Sequence, residues 1–173
     1  MTKILSYSFS LASFPLTPPV APSPAEQLHE YRYNEFLIDL PGHWKQVPSS
    51  THNTITFHSD AHGAALIISV DSYEIPREKA QAVAEQCVAS RLGALEQAAP
   101  GRVSVLRQSI RPHSGGVGLE LSLVAETPKE AYIYLGHVTS RKVLNLSLVG
   151  KPDRQAAAAL FDKTIANYRP RFP

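Results

Sequence analysis

Seven histidines and one cysteine are the groups with the most chemistry to offer in this sequence. His58 and His62 stand four residues apart, the spacing at which a helix turns two imidazoles toward one metal ion. They fall, however, where a strand gives way to the Ala61-His62-Gly63 turn, with no glutamate after His58 and no cysteine nearby. A solvated loop pair is expected there, and no metal site is assigned. Ser114-Gly115-Gly116-Val117-Gly118 has the glycine content of a phosphate-cradling loop, but it leads into a strand rather than into a helix whose amides would face the anion. It reads as a β-turn. His113 beside Ser114 lacks the strand-turn-helix elbow that delivers a base to a nucleophilic serine. No catalytic residue and no cofactor follow from these motifs. An enzyme would need a site assembled by the fold from distant groups such as His58, His113 and His137.

Cys87 and Trp44 each occur once as residue types. Cys87 lies on the apolar stripe of a predicted helix, where a free thiol behaves as a small hydrophobe. Trp44 follows Leu40-Pro41-Gly42 and is expected to plug the end of a core rather than stand out as a binding anchor. A candidate protein-binding face comes instead from the strands. Ser69, Glu120, Ser122, Tyr132, Tyr134, Asn145 and Ser147 alternate with aliphatic neighbours and are expected on a common side of the sheet. The bland account of that side is a solvated sheet face, or one on which Tyr132 and Tyr134 are covered by the second helix.

The elements that must position these groups can be read from periodicity. Tyr31 and Tyr33, a turn at Asn34-Glu35, and alternating Phe36, Ile38 and Leu40 before Pro41-Gly42 predict a hairpin. Thr54 to Phe57 alternates weakly, and Ala64 to Val70 is almost continuously apolar, as in a strand buried on both faces. Pro76 opens a helix to about Gln97, its apolar stripe running Ala80, Val83, Ala84, Cys87, Val88, Arg91, Leu92, Leu95. Pro100-Gly101 ends it. Strands resume over 103–110 and 117–123, then over 132–139 and 143–149 with a short polar connection at Ser140-Arg141-Lys142. A second helix spans about Asp153 to Asn167, with Ala157, Leu160, Phe161, Thr164, Ile165 and Tyr168 on its stripe. Strands, helix, strands, helix with hairpin-length links predicts an α+β fold with a largely antiparallel sheet flanked by two main helices.

The chain has 173 residues, 43% of them hydrophobic and 18% charged, enough for one domain with a core of its own. One domain is expected over residues 28–173. Residues 1–27 read as a flexible leader, since Pro15, Pro18, Pro19, Pro22 and Pro24 deny the backbone both donors and dihedrals. The apolar stretch Ile4 to Phe14 after Lys3 imitates a signal peptide poorly, because serines and a tyrosine interrupt it. A net charge of +2 without a basic stripe argues against nucleic acid as a partner. A lone cysteine rules out an internal disulfide. No apolar run reaches the roughly 20 residues that a membrane helix needs.

Tyr31-x-x-Asn34-Glu35-Phe36-x-Ile38-x-Leu40-Pro41-x-x-Trp44 resembles the opening of small bacterial domains of the PsbP-like superfamily, where a hairpin runs into a Leu-Pro-x-x-Trp corner. The closing Phe161, Ile165, Tyr168 and Arg169-Pro170 are compatible with it. The resemblance covers about residues 30 to 170 and implies an α/β/α sandwich. Relatives include DcrB-like envelope lipoproteins, PsbP subunits of photosystem II and Eag-type chaperones that bind apolar segments of type VI secretion effectors. None of these works by catalysis. The lipoprotein kind needs a cysteine near the N-terminus, and Cys87 is in the wrong place. The expectation is therefore a non-enzymatic binding domain, of the bacterial cytoplasmic chaperone or adaptor kind. Its partner would be another protein, such as an apolar segment of a secreted effector, or a second copy of the chain. A periplasmic or envelope-associated structural protein is the alternative.

Overall fold

The computed structural model describes residues 26–49 and 51–172. The proline-rich leader and its signal-like stretch lie outside these residues. The chain opens with β1 (Leu28–Arg32) and β2 (Phe36–Pro41), a hairpin whose register sets Tyr31 opposite Ile38. The Leu40–Trp44 corner follows, closed by the Trp44 amide donating to the Pro41 carbonyl at 2.9 Å. Then come β3 (Lys45–Val47), β4 (Thr54–Ser59), β5 (Ala64–Ser72) and, after one 3-10 turn, α1 (Ala80–Ala98). The second half runs β6 (Ser104–Pro112), β7 (Leu119–Glu126), β8 (Ala131–Val138), β9 (Lys142–Gly150), α2 (Arg154–Ile165) and β10 (Tyr168–Pro170).

All strand pairs are antiparallel, and the strands form two sheets. The larger has seven strands in the order β3-β4-β5-β9-β8-β7-β6, and the smaller has the order β1-β2-β10. Within each half the hairpins are local. The one long-range pairing of the large sheet, β5 with β9, joins the two halves.

Alternation along the strands gives the large sheet two faces with different covers. On one, Phe57, Leu66, Ile68, Ile133, Leu146 and Leu148 pack with Phe36, Ile38 and Leu40 of the small sheet and Ala157 and Phe161 of α2. On the other, Leu121, Leu123, Tyr134, Val138 and Val143 pack beneath Ala84 and Val88 of α1. α1 rests on β7 and β8, so the same face of β4 and β5 is left half-covered. The helices begin differently. Asp153 caps α2, its carboxylate accepting from the Ala156 amide at 3.0 Å, whereas α1 has no side-chain cap and grows out of the turn at Arg77–Lys79.

The α+β class, the antiparallel pairing and the order of elements agree with the sequence reading, and four details correct it. The first hairpin does not join the main sheet. It builds a second small sheet with residues after α2. Tyr168, placed on the helical stripe by its spacing, is in β10, paired with Ile38, because the helix ends at Ile165. β5, expected to be buried on both faces, buries only Ala64, Leu66 and Ile68 fully, since α1 does not reach its other side. The helix covering Tyr132 and Tyr134 is α1, not the second helix.

Candidate functional site

The predicted polar face divides between both sides of the sheet. Ser69, Tyr132, Tyr134, Asn145 and Ser147 share the α1 side, since register pairs Ser69 with Asn145 and Tyr134 with Ser147. Glu120 and Ser122 pair with His137 and Leu135 and point to the opposite side. The error was one of parity, because the loops between strands hide which of two alternating sets continues the face. The five residues on the α1 side bond mainly to one another. The Tyr134 hydroxyl donates to Asn145 Oδ1 at 2.9 Å, Asn145 Nδ2 donates to Ser69 Oγ at 3.2 Å, and the Tyr132 hydroxyl meets Ser147 Oγ at 2.9 Å. Arg91 of α1 lies 4.0 Å over the Tyr134 ring and anchors to the Cys87 carbonyl at 2.7 Å.

Gly136 makes this arrangement possible. A Cβ there would stand 2.1 Å from the Tyr134 hydroxyl oxygen, so only glycine lets the tyrosine lie along the strand and reach Asn145. Burial raises the phenol of Tyr134 above its ordinary pKa, outweighing the opposite pull of Arg91, and burial likewise raises the Cys87 thiol. Cys87 is thus a half-buried core thiol. Tyr134, Asn145 and Ser147 are buried, which makes this layer an internal bonded seam with only its Ser69 and Tyr132 margins partly open.

Five of the seven histidines fall into three arrangements. His58 sits beside Asp60, Nδ1 to carboxylate at 3.2 Å, while His62 turns to His43, their Nε2 atoms 3.1 Å apart. The four-residue spacing of His58 and His62 therefore makes no pair. His113 and His137 do meet, with ring centroids 5.4 Å apart, and Glu120 joins them through its register with His137. His58 is not part of that cluster. Burial lowers the His137 pKa to about 4, against the partial opposing effect of Glu120, so the ring is neutral at physiological pH. The turn feeding this cluster is a β-turn as read, the Gly116 amide donating to the His113 carbonyl at 2.9 Å, and the His113 amide donates across the loop to the Gly118 carbonyl at 2.8 Å. Gly118 takes φ +118° with Val138 O 2.0 Å from where a Cβ would stand, which glycine alone permits.

A groove of about 740 Å³ runs between α2 and the corner after β2. Leu40, Pro41, Trp44, Ala156, Ala159 and Leu160 give it apolar walls, and Glu26, Asp39, His43, His62 and Lys163 line its polar side. Trp44 is only 3% exposed and packs into the core, so it plugs the end of the sandwich while contributing to the wall of the groove. Burial, His43 and Lys163 together lower the His62 pKa. Sequence reading missed this groove. Leu160 was assigned to the core stripe, and nothing in the sequence brings α2 beside residues 40–44.

Two layers against a seven-stranded antiparallel sheet, with the first hairpin and the chain end joined in a second small sheet, define a PsbP-like fold. The solution structure of cyanobacterial PsbP (CyanoP) from Synechocystis sp. PCC 6803 is similar with a TM-score of 0.62 at 16% identity, over 91% of this chain and 99% of that one. At that identity the likeness is one of fold. A protein of known structure from Bacteroides thetaiotaomicron VPI-5482 aligns at 12% identity with a TM-score of 0.41, over 79% of this chain and 45% of that one, too weak a likeness to argue from. No protein-family model matches the sequence, and no curated protein does. Among the described residues no helix is long and apolar enough to cross a membrane.

Proposed function

We propose that this protein is a non-enzymatic binding domain that holds an apolar segment of another protein in the groove between α2 and the Leu40–Trp44 corner, in the manner of a chaperone or adaptor for a secreted effector. The observation that carries the reading is the groove itself, in which aliphatic and aromatic walls adjoin the basic Lys163 and the His43–His62 pair. Apolar walls gain from burying aliphatic side chains, about 25 cal/mol per Å² removed from water. Lys163 fixes orientation by meeting a carboxylate on the same segment, with the His43–His62 pair offering hydrogen bonds beside it. Of the alternating polar residues first read as a binding face, Tyr134 serves this function indirectly, its ring lying under Arg91 of α1 on the other side of the sheet.

Photo-crosslinking tests the reading in the native cell. A benzoylphenylalanine at Ala159, in the groove, is expected to capture a separate polypeptide through an apolar stretch identified by mass spectrometry. The same group at Gln86, on the exposed side of α1, is expected to capture nothing specific. Crosslinks from Ala159 only to residues 1–25 of the same chain, or only to a second copy, would overturn the proposal, as would equal capture at both positions.

A further inference from the structure

The cluster at the β6–β7 turn is independent of the groove and is built unlike a simple core contact. His113 follows β6, Glu120 is near the start of β7, and His137 lies opposite Glu120 on β8. One donor atom from each lies within 4.8 Å of the other two. His137 is 6% exposed, its Nδ1 is buried, and that atom has no hydrogen-bond partner among the described residues. An orphaned buried nitrogen costs about 1–3 kcal/mol, and buried polar groups are rarely left so without a ligand or water to meet them. The Phe172 ring packs against both imidazoles, at 5.0 Å from His113 and 5.2 Å from His137. The other side of Glu120 is held by Arg111, whose Nε donates to Oε1 at 2.9 Å, which leaves Oε2 for another partner.

We propose that His113, Glu120 and His137 form a binding site for a divalent transition ion of the Zn2+ kind. Two imidazoles and one carboxylate suit zinc and its neighbours in the transition series, and offer too few oxygens for Ca2+ or Mg2+. Donors on one tetrahedral zinc stand roughly 3–3.5 Å apart, so closing the cluster needs side-chain rotations of about 1 Å. Glu120 supplies the negative charge, with Arg111 orienting the carboxylate from outside as an outer partner does. His113 Nδ1 now accepts the Gly115 amide at 3.0 Å, an exposed bond that the ring gives up, or exchanges for a protonated Nδ1, when it turns to the ion. Bound metal would tie the β6–β7 turn to β8 beneath Phe172, leaving the fourth position for water or a ligand from a partner.

The test is a titration of the full-length protein with Zn2+ against a chromophoric chelator, with Co2+ as a spectroscopic substitute. One equivalent is expected to bind, and Co2+ is expected to show the visible bands of a four-coordinate site. His113→Ala and Glu120→Gln replace half-buried side chains and are expected to fold as the parent does, checked by circular dichroism. Each should weaken Zn2+ binding by more than about 100-fold, beyond the 10- to 100-fold that loss of an outer partner costs. His62→Ala, which disrupts the other histidine pair, should leave affinity within about twofold. Absence of Zn2+ binding, binding retained in both ligand variants, or binding lost in His62→Ala would overturn the proposal.

Discussion

On the α2 side of the large sheet, Phe57, Leu66, Ile68, Leu146 and Leu148 meet Phe36 and Phe161 through apolar atoms, and only side-chain shape decides how they fit. On the α1 side, Leu121, Leu123 and Val143 share the layer with Tyr134, Asn145 and Arg91, which are joined by directed contacts. The difference shows how one sheet uses its two faces. Burial gives the larger part of stability on the α2 side, where apolar contacts dominate, while on the other side the hydrogen-bonded seam holds Tyr134 under Arg91 of α1 at some cost in desolvation. It also explains why the groove lies on the α2 side. There the covering layer is assembled from a short helix and a small sheet, and the junction between them leaves apolar walls open.

Four changes would break or sharpen this contrast. The largest effect belongs to the α2-side core: Phe57→Ala should cost about 3–5 kcal/mol in chemical denaturation, since Phe57 is wholly buried and its truncation removes a ring's worth of packing. Asn145→Ala should cost less, about 1–3 kcal/mol, chiefly because the Tyr134 hydroxyl would be left buried without its acceptor. If Asn145→Ala proved the costlier, the seam would outweigh the α2-side core and the contrast would fail.

The third change is in pH. The Tyr134 phenol has a folded-state pKa raised by burial above its unfolded value of about 10. Its contribution is therefore fully present below pH 10 and is lost as the pH rises from there toward the folded value. Denaturation followed by tyrosinate absorbance should show ionisation of this residue coupled to unfolding, and Tyr134→Phe should flatten the alkaline loss. The smallest effect is expected for Tyr168→Phe. The Tyr168 hydroxyl is buried with no hydrogen-bond partner among the described residues, so its removal should leave stability within about 0.5 kcal/mol or raise it slightly. A large loss would mean that the α2-side core also depends on directed bonds.

The sequence revealed the elements well because their periods are strong. Alternation from Leu119 through Leu123, and three- and four-residue spacing from Ala80 to Leu95, leave little choice between strand and helix. It did not reveal the partner of each face. Glu120 and Ser122 were grouped with Tyr134 because all are polar positions in alternating runs, and only strand register shows them on opposite sides. His137 and Glu120 are 17 positions apart and meet through that same register, so the cluster with His113 was legible only in part, as two histidines without their carboxylate. The groove was invisible for another reason. Its walls come from α2 and the corner, and their contact is set by how the small sheet closes on the large one, which no local pattern records.

The central claim, that the working surface is the groove beside α2 and not the polar seam beneath α1, is tested most directly by affinity. The segment captured at Ala159, made as a synthetic peptide, would be titrated against the parent protein, Ala159→Arg in the groove and Gln86→Arg on the exposed side of α1. The account predicts at least about tenfold weaker binding for Ala159→Arg, the equivalent of about 1.4 kcal/mol, and no change for Gln86→Arg. Unchanged binding by Ala159→Arg, or a loss confined to Gln86→Arg, would contradict it.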